Sequence, residues 1–475
     1  MFRHQESEGS VRRHHQNTAS LTEGSVAKGI IGFAVPLLLG QLLQQLYNLA
    51  DAWVIGNFAD NDSFAAVSSG GSLTFLIIGF FNGIAVGGSV IISRYYGARD
   101  KKSVEEAIHS NFLFGIVSSV ISTGIGLLMA PLILRLMNTP DSVMPHALTY
   151  FRIYFGGVST IILYNICMAI MRALGDSIHP LYYLMISSLT NVVLDLFFVA
   201  GLHWGVGGAA FATVLSQGLS AVLCIVRMCR LPDDTRLDFR KLKWNASMIR
   251  EILAQGLPTG IQNSVISIGN LTIQSNINAF GAFAMSGHGA YSKIEGFVFL
   301  PITCMSMSLP TFVGQNLGAK EYGRAKRGAL FGILSGMLMA ELIGVILLLG
   351  APHALRFFVD VDEAVSYGLI DIHIIAPFYF LLAFSHCSAG VMRGCGKAVV
   401  PMATMLTFWC GVRILYVTLA VRAFPVFGTI SWAYPLTWTC SSVVFLLFLW
   451  KSDWVHAFEK KREEELPQKK KGEKE

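Results

Sequence analysis

A chain of 475 residues that is 53% hydrophobic and only 14% charged, with a mean hydropathy of +0.54, does not have the composition of a soluble enzyme, in which about 25% of residues are charged. It has that of a protein threaded repeatedly through a bilayer. The formal net charge of +6 does not signal nucleic acid, because the basic residues fall where a membrane topology needs them. The eight cysteines are scattered, mostly in apolar runs and never as C-x-x-C, which argues against a zinc site or a disulfide framework.

In chain order, residues 1–26 read as a basic cytoplasmic tail without the apolar core of a signal peptide. Twelve apolar segments follow, at about 27–56, 66–93, 105–134, 143–171, 178–200, 205–228, 248–278, 286–315, 324–351, 363–391, 398–421 and 427–450. Most exceed the ~20 residues needed to span a bilayer. Residues 229–247 form a basic linker, and 451–475 a charged tail with little to bury. With the N-terminus inside, every inner tail and loop carries Lys or Arg, whereas the outer ends hold only Arg135, Lys293, Arg356 and Arg422. The positive-inside rule then makes this a multi-pass protein of the cell membrane with both termini cytoplasmic. The basic face becomes a contact for anionic lipid.

The first span carries a carboxylate. Gln41, Gln44, Asn48 and Asp51 are spaced by 3, 4 and 3 residues, so they form one polar stripe on an apolar helix. An acid inside a membrane costs about 2.5–3.5 kcal/mol on insertion scales. Asp51 must therefore face protein or water, and be protonated, paired or bound to a cation. Pro36, earlier in the same span, removes a backbone hydrogen bond and serves as a hinge or a fixed kink.

The chain repeats itself. Met171-Arg-Ala-Leu-Gly-Asp-Ser-Ile-His-Pro180 returns as Met392-Arg-Gly-Cys-Gly-Lys-Ala-Val-Val-Pro401, and Gly97-Ala-Arg-Asp as Gly318-Ala-Lys-Glu, both offset by 221 residues. Pro36 with Asn48 returns as Pro258 with Asn270, offset by 222. Residues 27–228 and 248–450 are thus two six-helix bundles, and an offset of six spans makes the repeat parallel.

These features together resemble the multidrug and toxic compound extrusion (MATE) family, and its DinF-like bacterial branch in particular, over nearly all of residues 27–450. The resemblance rests on the six-plus-six repeat, Pro36 and Asp51, the Gly-Ala-Arg/Lys-Asp/Glu turns, the Met-Arg-x-x-Gly-x-x-x-x-Pro segments and Asn191-x-x-x-Asp195. It implies two bundles in a V around a central cavity, and export of amphipathic, often cationic compounds by antiport with H⁺ or Na⁺. It also implies a coupling site in the first half, where Asp51, Asn191, Asp195 and Thr213 match the family's positions.

Depth supports that grouping independently. Asp51 and Asp195 each lie about five residues before the outer end of a span running from inside to outside. Asn191 and Asp195 share a helix face, as residues i and i+4 do. Two acids with amide and hydroxyl oxygens can hold Na⁺ or share a proton. Apart from that ion, which is the only metal expected, no cofactor is read from the chain. In the second half, Ile273 and Tyr416 stand where Asp51 and Asp195 stand in the first. Glu341 and Glu295 are the remaining candidates for a second ion site, with Glu295 expected to pair locally with Lys293 or outer backbone. Asp371, Arg152 and Arg413 are expected to be structural. Gln44, Tyr47, Asn48 and Asn165, with Asn263, Asn270 and Gln274 opposite, are candidates to line a substrate cavity, and Pro258 repeats the hinge. The partners expected are small-molecule substrates and membrane lipid, with the protein a monomer. The alternative reading is a lipid-linked oligosaccharide flippase of the same superfamily. No metal-ligand set, nucleotide loop or nucleophile–base pair in the spans suggests an enzyme.

Overall fold

The structure, a computed structural model, describes residues 21–58, 61–136, 139–232 and 234–459. Residues 1–20 of the expected N-terminal tail and 460–475 of the C-terminal one lie outside the described residues. The described chain is all-α. Its first half holds α1 (Val26–Phe58), α2 (Asn61–Gly97), α3 (Lys101–Leu136), α4 (Met144–Gly156), α5 (Val158–Ala173), α6 (Ile178–Asp195) and α7 (Gly205–Cys229). The second half holds α8 (Ala246–Asn278), α9 (Ala282–Gly318), α10 (Tyr322–Arg356), α11 (Asp362–Ile375), α12 (Tyr379–Gly394), α13 (Val399–Met405), α14 (Arg413–Ala423), α15 (Gly428–Ser431) and α16 (Ala433–Lys451). Among the described residues, nine helices are long and apolar enough to cross a membrane, or ten if the bent pair α4–α5 is one span. With α2 and α8 the rods number twelve, as the hydropathy pattern predicts.

The sequence repeat is a geometric repeat. In both Gly-Ala-Arg/Lys-Asp/Glu turns the third residue is left-handed, Arg99 at φ 55° and Lys320 at φ 61°. In both, the acid's N–H returns to the preceding helix: Asp100 N–H to the Tyr95 carbonyl at 3.1 Å, Glu321 N–H to that of Asn316 at 2.8 Å. The Met-Arg-x-x-Gly turns match as closely. Gly175 and Gly396 have φ of 90° and 80°, a region that favours glycine. The N–H of the next residue returns to Met171 or Met392 at 3.0 and 2.9 Å.

The fourth and tenth spans are both broken. Between α4 and α5 the axis turns by 46° at Gly157, where a Cβ would collide with the Val214 side chain on α7. Between α11 and α12, Pro377 sits in a 3-10 turn over Ala376–Phe378. The freed N–H of Phe380 is taken by Glu341 Oε2 at 3.3 Å. Glu341 thereby has a structural occupation: it satisfies a donor that the broken helix cannot. Pro36 and Pro258, by contrast, lie inside helices that run on through them.

Two compact units account for the described chain. The first contains Val35–Leu253, so it includes the linker and the first turns of α8. The second contains Leu21–Ala34 and everything from Ala254 on. The divisions therefore fall within α1 and α8, shortly before Pro36 and Pro258, and not at the ends of the linker. Hydrogen bonds give the reason. In the first unit His109 Nε2 accepts the Asp238 N–H at 3.0 Å, Lys241 pairs with Glu105 at 2.6 Å and Tyr95 donates to Glu251 at 3.2 Å. In the second, the Arg324 guanidinium donates to the carbonyls of Leu21, Glu23 and Gly24. Gln315 and Asn316 complete the grip on Leu21.

The start of the C-terminal tail departs from expectation. Trp454, Val455 and Phe458 are buried in the second unit, with Phe458 packed against Gly396. Glu459 receives a hydrogen bond from the Tyr322 hydroxyl and lies 3.4 Å from Lys320. Three apolar residues at positions i, i+1 and i+4 make one face, enough to dock a short segment among charges.

Candidate functional site

The candidate site lies in the first unit, where α1, α4, α6 and α7 each contribute a side chain. On α6, Asn191 and Asp195 are fully buried, 0% exposed. Asp195 closes the α-helical part of its span, and a π-helical stretch, Leu196–Gly201, follows at once, a distortion that often accompanies functional positions. Asp51, half-buried on α1, lies within electrostatic range of Asp195, and no direct hydrogen bond joins the two carboxyls among the described residues.

Two hydroxyl protons near the pair are committed elsewhere. Tyr47 donates to Thr213 Oγ1 at 3.3 Å, and Thr213 donates to the Ala209 carbonyl at 3.0 Å. Among the described residues, no hydrogen-bond partner satisfies Asp51 Oδ1, either oxygen of Asp195 or the amide atoms of Asn191. No basic side chain figures among the charges acting on either aspartate. Two adjacent, buried carboxylates cannot both hold charge under those conditions.

Two tyrosines lie beside the pair, and a third stands behind them. Tyr47 is 8% exposed and lies within electrostatic range of both aspartates. Tyr150 lies within electrostatic range of both aspartates, and its ring stacks on that of Tyr154 at 5.8 Å and 18°. Tyr154 is in turn within range of Tyr47. The sequence reading missed Tyr150 and Tyr154. Their i, i+4 spacing on one face of α4, ahead of the break at Gly157, was the available signal.

The other expected residues are placed more simply. Gln44 donates to the exposed Asn48 at 3.4 Å, and Asn165 to the Ile161 carbonyl at 2.9 Å. In the second unit, Asn263 is half-buried and Asn270 exposed, and Gln274 donates to Asn278 at 2.9 Å. Glu295 is paired with Tyr291, which donates to it at 2.8 Å. Its expected partner Lys293 lies over the Phe358 ring instead, because Tyr291, four residues before Glu295, shares its helix face and Lys293 does not. Asp371 meets His288 at 2.9 Å and accepts from Ser431 at 2.6 Å. Arg413 donates to Thr437 at 3.0 Å and stands 4.6 Å from the Tyr434 ring centre. Arg152 is exposed and has no such partner among the described residues.

Comparison with known proteins agrees with this architecture. The MatE family model matches the chain twice, over residues 36–197 and 258–418, once in each half and at the offset of the repeat. The probable multidrug resistance protein YpnP of Bacillus subtilis is 28% identical over 395 residues, 82% of this chain and 87% of that protein. The probable multidrug resistance protein NorM of Thermotoga maritima is 26% identical over 394 residues, 81% and 83% of the two chains. A solved structure described as the outward-facing conformation of a multidrug resistance MATE family transporter of the MOP superfamily superposes with a TM-score of 0.85. It covers 94% of this chain and 99% of its own at 22% identity, a likeness of fold.

Proposed function

This chain belongs to the MatE family of multi-pass membrane proteins, and on that premise we propose that it is a secondary active multidrug exporter driven by inward flow of H⁺ or Na⁺ through the Asp51–Asp195 site. The observation that carries the reading is the acid pair itself, buried in the spans without a basic partner or a placed donor. A permanent structural pair would be expected to have its counter-charge built in. A pair that lacks one suits a cation that binds and leaves in each cycle. Asn191 offers unpartnered amide atoms to it, Thr213 a free lone pair, and Tyr47 and Tyr150 a wall that limits water. The divisions between compact units, shortly before Pro36 and Pro258, support a hinge role for both prolines. The names of the relatives favour drug efflux over lipid-linked oligosaccharide transport. Amphipathic, often cationic compounds are the substrate class, and the cell membrane, with both termini cytoplasmic, is the setting.

The test is dye efflux in everted vesicles with ΔpH and ΔNa⁺ imposed separately. Asp51→Asn and Asp195→Asn should each abolish gradient-driven efflux while the protein still reaches the membrane. Wild-type efflux by either variant under either gradient would remove the assignment.

A further inference from the structure

The first unit carries a second concavity, apolar and separate from the acid pair. It has a volume of about 420 Å³ and is lined by Ile153 of α4 and by Trp204, Gly207 and Phe211 at the start of α7. Trp204, Gly207 and Phe211 are spaced by 3 and 4 residues, so they lie on one face. At 1.5 Å per residue the crevice runs down about 10 Å from the turn that precedes α7. Its aromatic wall is held from behind. Phe198, itself buried, stacks on Trp204 at 5.1 Å and 15° and meets Phe211 edge-on at 5.4 Å. The rings are ordered, yet Trp204 is 54% and Phe211 38% exposed.

A tryptophan at the end of a span marks the headgroup level of a membrane. Arg152 lies about one turn deeper, inside the span, and its long side chain can reach up to that level. It precedes Ile153, and Thr149, one turn earlier on α4, lies with Ile153 against Gly207. Arg152 is exposed and without an ion pair or hydrogen bond among the described residues. An arginine on an apolar span reaches toward phosphate when the protein gives it no partner.

We propose that this crevice is a binding site for one anionic phospholipid, its acyl chain lying along Ile153, Gly207 and Phe211 and its phosphate on Arg152. Charge and shape agree on that occupant: an unpaired cation that can reach headgroup depth adjoins, at Ile153, an apolar channel open along a helix. The site lies at the end of the unit away from the linker, which the charge pattern makes the outer leaflet. It does not depend on which ion drives transport.

The test uses the full-length protein in phosphatidylcholine nanodiscs and reads Trp204 alone, as the fluorescence quenching lost on Trp204→Phe. Phosphatidylglycerol with brominated chains should quench Trp204 at a mole fraction at least tenfold lower than brominated phosphatidylcholine. Arg152→Gln should erase that preference while leaving quenching by both lipids at the weaker level. Phe211→Ala, or Gly207→Leu, which fills the crevice, should reduce both. The proposal is overturned if the two lipids quench wild type equally, if Arg152→Gln keeps the preference, or if a transported cationic dye displaces the lipid competitively, which would assign the crevice to the substrate route. Dye efflux by the same variants, measured separately, keeps a failure of the efflux reading distinct from a failure of this one.

Discussion

The two units contain the same fold and opposite electrostatics. At matched positions of the repeat, the first unit has Asp51, Asp195 and Thr213, where the second has Ile273, Tyr416 and Tyr434. Ile273 is 1% exposed in an apolar cluster with Ile277, Val417 and Ile430, and Tyr416 packs against it. Two acids of the second unit, Glu295 and Asp371, lie elsewhere and come with bases. Glu295 is within electrostatic range of His288 and Arg413, and Asp371 touches His288 directly. The second unit can close its own charge balance; the first has two acids and no base beside them. The difference teaches that one repeated frame holds its buried acids beside bases in one copy and without them in the other, the asymmetry that the proposed ion exchange would use.

The comparison can be broken from either side. The largest effect is expected at the unbalanced pair. Neutralising either aspartate should cut gradient-driven dye efflux by at least about tenfold, the equivalent of roughly 1.4 kcal/mol in a rate, and in practice to background. Next comes the balanced cluster. His288→Leu strands Asp371, which it meets at 2.9 Å, and removing one partner of a buried hydrogen bond to a charged group costs about 1.5–3 kcal/mol. Thermal unfolding in detergent should show the loss, and adding Asp371→Asn should recover much of it, a coupling that a double-mutant cycle reads directly. Placing an acid in the apolar copy, as Ile273→Asp, should cost about 2.5–3.5 kcal/mol by insertion scales. The number of ions moved per substrate should not rise; if it does, position matters and balance does not. Glu341→Gln should lose at most about 1 kcal/mol, the difference between a charged and a neutral acceptor for the Phe380 N–H, and efflux should persist.

The smallest effect is at the surface of the second unit. The Tyr322 hydroxyl, and then Lys320, hold the Glu459 carboxyl below its usual range. A carboxyl shifted down stabilises its contact above its ordinary range and loses that contribution as pH falls through the shifted value. The tail should therefore stay docked at neutral pH and loosen in acid. A red shift of the Trp454 emission on acidification, measured against a Trp454→Phe control, would record it, and an unchanged spectrum would contradict it.

Much of this was legible before any coordinates. Hydropathy and basic loops are strong signals because a bilayer tolerates few alternatives, and the repeat announced both the halves and the matched turns. Asp51 and Asp195 stood out because a carboxylate in an apolar run demands a reason. Tyr150 and Tyr154 did not, since tyrosines on a span also serve as interface anchors, and only the packing of α4 brings Tyr150 to the acids with Tyr154 stacked behind it. The divisions inside α1 and α8 were hidden for a different reason. They depend on Arg324 and His109 gripping backbone groups far away in sequence, and backbone partners leave no pattern in side-chain identity.

That grip has a consequence for how the protein is made. Arg324 holds the Leu21 carbonyl across a separation of 303 residues, so some of the first residues to leave the ribosome wait for nearly the last third of translation before they find their place. The first unit can finish once Leu253 has emerged. The second cannot, because Leu21–Ala34 must be kept free and within reach until α10 is inserted. Closing so long a loop is slow more than it is costly. Tags or truncations that crowd the stretch from Leu21 to Gly24 should therefore lower yield before they touch activity.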